Sequence, residues 1–180
     1  MPKRIAARRS PIHGNGVFAL VDIPAKTELI EYRGKRLTHA QADRLHANTS
    51  DSGHTFLFTL NDKYVLDANS EGNIARWINH SCAPNCRALL EENADGDARK
   101  DRVLIETLRP LRACEELTYD YGIVLAERLT PRLKAIWACC CGAPRCTGTL
   151  LKPKRKPRAA VKKAPAKKRA AAKSARARIG

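Results

Sequence analysis

The sequence predicts a mainly β domain followed by a disordered basic tail. Short runs rich in β-branched and aromatic residues alternate with turn residues through the first 151 residues, as is typical of short strands joined by tight loops. Residues 152–180 contain almost only Lys, Arg, Ala and Pro. Such a segment cannot bury enough apolar surface to offset its ordering entropy, so we expect it to be disordered when free.

The β-rich part begins with a basic arm at residues 1–9 and a turn at residues 13–16, where two glycines occur. Strands are expected at 17–20, 27–32, 55–60, 64–66, 86–90 and 102–108. Strands 55–60 and 64–66 form a predicted hairpin around Asn61 and Asp62. The last two strands are expected to pair around a polar loop.

Two stretches have helical patterns. The clearest helix spans 39–47, with Thr38 as its N-cap and with Ala42, Leu45 and His46 on one face. A polar loop at 48–53 follows it. A second helical spacing lies within 125–137, where Pro131 restricts the point at which a helix can start.

The charge is concentrated in the tail. The chain has 34 Lys and Arg against 18 Asp and Glu, and 13 of the basic residues lie in 152–180, which has no acid. Such a tail suits nucleic acid as a partner, although a charged end that only improves solubility is an equal alternative. No apolar run approaches the ~20 residues of a membrane span, and the N-terminus lacks the apolar stretch of a secretory signal.

Seven cysteines are present, and three of them are consecutive at 139–141. An odd number and this placement favour a metal site in a reduced compartment over a disulfide framework. The spacing Cys139-x-Cys141-x4-Cys146 allows three thiolates to hold one Zn²⁺, with Cys82 or Cys86 as the fourth ligand. Cys140, between two ligands, should point away from the metal. The alternative is a set of buried small hydrophobes.

Three further units could carry chemistry. Residues 73–86 crowd amide, imidazole and thiol groups together, although alone they could form a polar turn. Residues 116–122 place two tyrosines around an acid, with both rings on one side if the segment is a strand, which is also what a core strand would show. The pair Gly14-x-Gly16 is in most proteins only a turn.

Each motif alone is common, but all five together in this order are characteristic of one protein family. His13-Gly14-Asn15-Gly16-Val17-Phe18, Glu31-Tyr32-Arg33-Gly34, Asn79-His80-Ser81-Cys82, Leu117-Thr118-Tyr119-Asp120-Tyr121 and the terminal cysteine cluster follow one another along the chain. Over about residues 8–151 the sequence therefore resembles the SET-domain protein-lysine methyltransferases with a post-SET zinc motif. Its compact length and its tail resemble a bacterial member.

The resemblance implies a SET-domain fold of several short sheets with a knot-like threading near Asn79 and His80. S-adenosylmethionine would bind one face and the substrate lysine the other, with a narrow channel between them. The implied organisation is a basic arm, a SET domain, a connecting segment, a post-SET zinc motif and the tail, at 1–9, 10–123, 124–138, 139–151 and 152–180.

The resemblance also implies roles for single residues. Tyr121 matches the catalytic tyrosine, and Tyr32 and Tyr119 match positions that line the channel. The implied cofactor-binding residues are His13, Gly14, Asn15, Gly16, Phe56, Asn79, His80 and Cys140. The implied zinc ligands are Cys82, Cys139, Cys141 and Cys146. Arg76 should brace the site.

Two positions depart from the family pattern. Phe56 stands where the family often has a tyrosine beside the cofactor, so a hydroxyl contact is lost. Cys114 stands where the family usually has a glycine, from which we expect that this turn needs no positive φ.

The implied function is transfer of a methyl group to a lysine of a histone or histone-like protein. Tyr119 predicts a mono-methyl product. The alternatives are a nucleoid-associated nucleic-acid-binding protein with an inactive scaffold, and a module that binds lysine-rich peptides without turnover. The expected location is the cytoplasm or the nucleoid, or a host nucleus after delivery.

Overall fold

The computed structural model describes residues 3–47, 55–125 and 127–154. Most of the predicted tail and the predicted polar loop at 48–53 lie outside these residues. Within them, ten strands form three small sheets, which two short α-helices and the 3-10 helix Ile74–Trp77 accompany. The predicted mainly β fold is therefore confirmed.

The first sheet joins the two ends of the domain. Its order is β1 (Ile5–Arg9), β2 (Asn15–Ala19), β10 (Glu116–Tyr119) and β7 (Asn79–His80). The pairing of β10 with β7 is parallel, with Thr118 beside Asn79 and Tyr119 beside His80. Two of the motifs found in the sequence are thus brought side by side by backbone pairing.

The N-terminal arm differs from its prediction. Ile5–Arg9 pairs antiparallel with β2 along five residues, and the Ile5 side chain is buried. The strand was not predicted because Arg8 and Arg9 interrupt the alternation of apolar and polar residues. Their side chains are exposed, as an edge strand allows.

The other two sheets contain the predicted hairpins. One has the order β3 (Glu28–Glu31), β9 (Arg102–Thr107) and β8 (Cys86–Glu91). The other has the order β4 (Lys35–Thr38), β6 (Tyr64–Asp67) and β5 (Leu57–Thr59). Strand β4 was missed because Leu37 is its only apolar residue.

Helix α1 (His39–Leu45) begins as predicted. The Thr38 hydroxyl accepts the Gln41 N–H, and the Gln41 side chain accepts the Thr38 N–H, which is a capping box. Ala42 is buried, but Leu45 is 65% exposed, so the expected apolar face is narrower than the sequence predicts.

Helix α2 (Pro131–Ile136) starts at the proline, whose missing N–H costs nothing in the first turn. Thr130 is its N-cap, and no α2 residue is buried. None of the helices in the described residues has the length and apolar character to cross a membrane.

The turn before β10 corrects one expectation. Cys114 has φ +68°, so the left-handed conformation that we did not expect is adopted by a residue with a side chain. The Cys114 N–H donates to Ala19 O and the Glu115 N–H to Arg112 O, and these two bonds fix the turn that leads into β10. The backbone geometry here thus keeps the glycine-like conformation although the residue is cysteine.

The core lies among the three sheets. Its fully buried large side chains include Val17, Ile23, Ile78, Val103, Ile105, Leu111 and Leu117. Tyr32 and Tyr119 belong to the same cluster, and Tyr121 packs against it. The tyrosines of interest are therefore held by the core.

Candidate active site

Two cavities meet at Tyr121. The larger, of about 360 Å³, is lined by Tyr32, Thr55, Leu57, Phe58, Thr59, Arg76, Tyr119, Tyr121, Gly122, Ile123 and Val124. The smaller, of about 70 Å³, is lined by Ile12, His13, Asn79, His80, Tyr121, Ala138, Cys139, Cys140 and Leu150. In the described part of the chain, Tyr121 is the residue that lines both.

The Asn79 amide supports one wall of the smaller cavity. Its Nδ2 lies 3.2 Å from His13 O, 3.0 Å from Asn15 O, 3.0 Å from Ser10 Oγ and 2.8 Å from Glu116 Oε1. Asn79 therefore holds the 10–15 loop against β10. Two of the carbonyls that could have faced a ligand are turned toward this amide.

The glycines of this loop act as supports. Gly14 has φ +51°, a conformation that costs a glycine little. A Cβ on Gly16 would clash with the Glu116 carboxylate, which accepts the Ser10 hydroxyl. Of residues 13–16, His13 is the one that lines the smaller cavity.

The His80 imidazole is buried directly behind Tyr121. Its Nδ1 accepts the Tyr121 backbone N–H at 3.2 Å, which places the ring proton on Nε2. Burial lowers the pKa of His80, and the nearby Lys152 lowers it further against the opposing effect of Asp120. The neutral ring fixes the backbone that carries Tyr121.

The tyrosine hydroxyls donate to backbone carbonyls. The Tyr121 hydroxyl donates to Ile78 O at 2.9 Å, and the Tyr32 hydroxyl donates to Phe56 O at 3.0 Å. The Tyr119 and Tyr121 rings lie 4.9 Å apart between centroids. With their protons directed to carbonyls, Tyr32 and Tyr121 keep oxygen lone pairs for a ligand.

Burial raises the pKa of Tyr32, Tyr119 and Tyr121 above the ordinary tyrosine value. Neighbouring tyrosines raise it further for Tyr32 and Tyr119, and the Glu116 charge does so for Tyr121. All three are therefore neutral phenols at physiological pH. They can orient a ligand by hydrogen bonding but cannot act as anionic bases.

Arg76 lies in the wall of the larger cavity. Its guanidinium is 4.3 Å from the Trp77 ring centroid and 5.1 Å from the Phe56 centroid, and Nη1 donates to Ala68 O. Such stacking fixes a cation in place. The Phe56 ring packs edge-on against Trp77 at 5.0 Å, instead of joining the residues that line the smaller cavity.

Four sulfurs converge beside the smaller cavity. The Sγ atoms of Cys82, Cys139, Cys141 and Cys146 all lie within 4.8 Å of one another. Cys86, the other candidate for the fourth ligand, is fully buried in the core, and burial raises the pKa of its thiol to about 12. The donor set is thus Cys82 from the β domain, which comprises residues 3–47 and 55–125, and three cysteines from the C-terminal segment, residues 127–154.

Backbone N–H groups surround these sulfurs. The Cys82 N–H donates to Cys141 Sγ at 3.4 Å, and the Gly148 N–H donates to Cys146 Sγ at 3.4 Å. Although burial raises the pKa of Cys141, the N–H groups of Cys82 and Ala143 lower it to about 6, whereas burial raises the pKa of the neighbouring Cys139 thiol. Thiolate is the form that a metal ion requires.

The C-terminal segment supplies the other wall of the smaller cavity. Ala138 pairs with Thr149, the Leu150 N–H donates to Trp137 O, and Leu151 forms a parallel bridge with Ile123. Cys140 is exposed and lines the cavity, although it lies between two of the clustered cysteines. Sequence motifs do not indicate the apolar lining residues Ile12, Ala138 and Leu150.

Residues 14–122 match the SET domain family, and the chain belongs to that family. The resemblance found in the sequence motifs and the predicted SET fold are therefore confirmed.

Three relatives with known names match 150 or more residues of the chain. The chain is 38% identical over 150 residues to a histone-lysine N-methyltransferase, H3 lysine-4 specific, of Candida albicans, and 38% identical to the protein of that name in Saccharomyces cerevisiae. It is 37% identical over 153 residues to a histone H3-lysine(4) N-trimethyltransferase of Arabidopsis thaliana. Each match covers 82% of this chain but 14% or less of the relative.

Proposed function

We propose that the chain transfers a methyl group from S-adenosylmethionine to the side-chain amine of a protein lysine, with a histone or histone-like basic protein as substrate. The observation that carries the proposal is the meeting of two separate cavities at Tyr121. A methyl donor in one and an amine in the other would react across that residue. The names of the relatives, which are histone-lysine N-methyltransferases, support the same reaction.

The smaller cavity fits S-adenosylmethionine in its chemistry. Ile12, Ala138 and Leu150 offer apolar surface for a purine, and His13, Asn79 and His80 offer polar groups. Cys140 lines the same cavity. When bound there, the cofactor would supply an electrophilic methyl group.

The larger cavity fits a lysine side chain. A free lysine amine has a pKa of about 10.4, so only about one in 2,500 is neutral at pH 7. Burial among aromatic rings lowers the pKa of an amine, and a fixed cation such as Arg76 lowers it further. The neutral amine is the form with a lone pair available for attack.

The tyrosines would position that amine. The oxygens of Tyr32 and Tyr121 can accept its N–H groups, because their own protons are given to Phe56 O and Ile78 O. The amine lone pair is then left pointing away from these acceptors. Catalysis by this chain would therefore consist mostly of orientation and exclusion of water.

The four-cysteine cluster fits a structural Zn²⁺. Four thiolates complete a tetrahedral site with no open position, which suits a structural role. The alternative of buried small hydrophobes is disfavoured, because none of the four cysteines is fully buried and all four sulfurs converge. Bound zinc would join the C-terminal segment to Cys82 of the β domain.

The proposed product is mono-methyl-lysine. Tyr119 lies against Tyr121 in the larger cavity, where its hydroxyl can hold a water that fills the space of a second methyl. Tyr119→Phe should therefore shift the product of a histone peptide toward di- and trimethyl-lysine, with little loss in the first transfer. Mass spectrometry of the peptide measures this.

Tyr64→Phe is the matched control, since Tyr64 is in β6 and does not line either cavity. Efficient trimethylation by the unmodified chain would contradict the role given to Tyr119.

The test of the function itself is transfer of a radiolabelled methyl group from S-adenosylmethionine to histone H3. We expect label on the histone and its loss in the Tyr121→Phe chain. Binding of a lysine-rich peptide without label would instead support the alternative of a binding module. The nucleic-acid partner and the cellular location remain predictions, and the partner depends on tail residues outside those described.

A further inference from the structure

The described chain ends at the rim of the larger cavity. Leu151 forms a parallel bridge with Ile123, and the Lys152 N–H donates to Ile123 O at 2.7 Å. The Lys152 ammonium lies 2.8 Å from Asp120 Oδ2. Backbone and side chain thus both tie Lys152 to the segment that follows β10.

The same segment lines the larger cavity. Gly122 and Val124 line both the larger cavity and a neighbouring cavity that also includes Lys152 and Pro153. The residues that follow Lys154 therefore start beside the cavity in which we propose that a substrate lysine binds.

The residues after Lys154 are rich in lysine, which is the side chain that we propose the site accepts. Residues 155–180 contain six lysines and no acid. The six are Lys156, Lys162, Lys163, Lys167, Lys168 and Lys173. Lys173 has a small residue on each side, and Lys163 and Lys167 each have an alanine on one side, which favours entry of these three side chains into the cavity.

We propose that the tail is a substrate of its own domain: one or more lysines among residues 156–173 enter the larger cavity of the same molecule and are methylated there. The inference rests on the proposed function. The neutral lysine nitrogen forms a bond to the methyl carbon of S-adenosylmethionine as the carbon–sulfur bond breaks. The sulfur keeps the bonding pair as S-adenosylhomocysteine, and the methylated amine releases one proton to water.

The length of the tether permits this geometry. An extended chain spans at most about 3.3–3.6 Å per residue, so the residues from Pro153 to Lys162 reach up to about 30 Å. That is enough to leave the rim and turn back to it. A short tether gives an effective concentration in the millimolar range, so at micromolar protein the tail has an advantage of about 10³-fold over an equal site on another molecule.

The experiment incubates the full-length chain with S-adenosylmethionine carrying a deuterated methyl group, in the presence of a histone H3 peptide. Intact mass and fragmentation of the C-terminal region locate the label. We expect label on the tail lysines and the same initial rate per molecule throughout a dilution series. A chain with Lys→Arg at all six positions keeps the charge and should show no tail label while still labelling the peptide.

A second arm mixes the active chain with a full-length Tyr121→Phe chain as acceptor. Its tail should gain label about 10³-fold more slowly than the tail of the active chain at micromolar concentration. Equal labelling of the two, or a rate per molecule that falls with dilution, would overturn transfer within one molecule.

The outcomes separate the two proposals. A labelled peptide with an unlabelled tail would overturn this inference and leave the proposed function standing. No label on either would overturn both. Label that persists in the Lys→Arg chain would place the acceptor lysine outside residues 156–173 and also overturn the inference.

Discussion

The β domain and the C-terminal segment at 127–154 are held together in different ways. The buried hydrophobic side chains of the described residues come almost entirely from the β domain, and the C-terminal segment adds only Trp137 and Leu151. Helix α2 buries no residue. The segment instead contributes three of the four clustered cysteines.

Because of this difference, we expect the β domain to fold without help from the C-terminal segment, whereas the site is complete only when that segment is in place. Burial of apolar side chains is sufficient to fold the β domain, which positions the three tyrosines. A segment as short as the C-terminal one cannot build its own core and needs a cross-link such as a bound metal. Yet the segment supplies Ala138, Cys139, Cys140 and Leu150 to the smaller cavity. Loss of the metal should therefore remove cofactor binding before it unfolds the β domain.

The largest effect should come from Cys141→Ser. Removing a ligand should release the segment and reduce methyl transfer more than about 100-fold, since even indirect partners of a metal ligand cost 10–100-fold. The thermal unfolding transition of the β domain should change little. Activity and calorimetry on the same preparation measure both.

Cys114→Ser is the matched control, because Cys114 is exposed and lies away from the cluster. If Cys141→Ser lost both its activity and the whole unfolding transition, the two regions would depend on each other for folding, which would contradict this account.

The next effect concerns the residue shared by the two cavities. Tyr121→Phe removes an oxygen that can orient the amine but no group that packs the core, so turnover should fall by about 10²-fold. Affinity for S-adenosylmethionine, measured by calorimetry, should stay nearly unchanged. Equal losses in cofactor affinity and turnover would instead make Tyr121 part of the cofactor site alone.

A smaller effect is expected on the stability of the β domain, from the carboxylate of Asp67. Although burial raises the pKa of Asp67, hydrogen bonds from His46 and Asn69 lower it below the ordinary value. The ionised carboxylate therefore stabilises the fold above the unfolded pKa of about 3.9, and this stabilisation is lost as the pH falls through the lower folded pKa.

Asp67→Asn should reduce the free energy of unfolding at pH 7 by about 2 kcal/mol and flatten its dependence on pH in the acid range. Urea unfolding at several pH values measures both. Asp62→Asn, at an exposed hairpin position, is the control and should change neither. An unchanged acid dependence in Asp67→Asn would assign the acid sensitivity to other carboxylates.

The smallest effect is a gain. Cys114 has φ +68°, which costs a residue with a Cβ about 1–2 kcal/mol, whereas glycine adopts it freely but loses some chain entropy. Cys114→Gly should therefore stabilise the chain by up to about 1 kcal/mol. Cys114→Ala keeps the strained geometry and should give no gain, so equal stabilities of the two variants would contradict this explanation.

Local patterns predicted the fold where partners are close in the chain. The 55–66 hairpin and the Thr38 cap follow from turn and capping residues within a few positions. The strand Ile5–Arg9 was missed because its pattern is completed only by β2, and Leu45 was misplaced because α1 buries only Ala42 of the predicted face.

The site shows the same limit. The motifs indicated which polar residues and cysteines could carry chemistry, but their sequence spacing does not show that Thr118 pairs with Asn79 or that Ile12 and Leu150 face one cavity. These contacts join residues far apart in the chain. Their placement depends on parallel pairing and on closure of the C-terminal segment, which no local pattern encodes.

The most direct test measures zinc and cofactor binding on the same full-length protein. We predict one zinc ion per chain by elemental analysis, loss of S-adenosylmethionine binding after chelation, and its return on adding zinc, with the main unfolding transition present throughout. Zinc-free protein that binds S-adenosylmethionine with unchanged affinity would contradict the claim that the cysteine cluster completes the site.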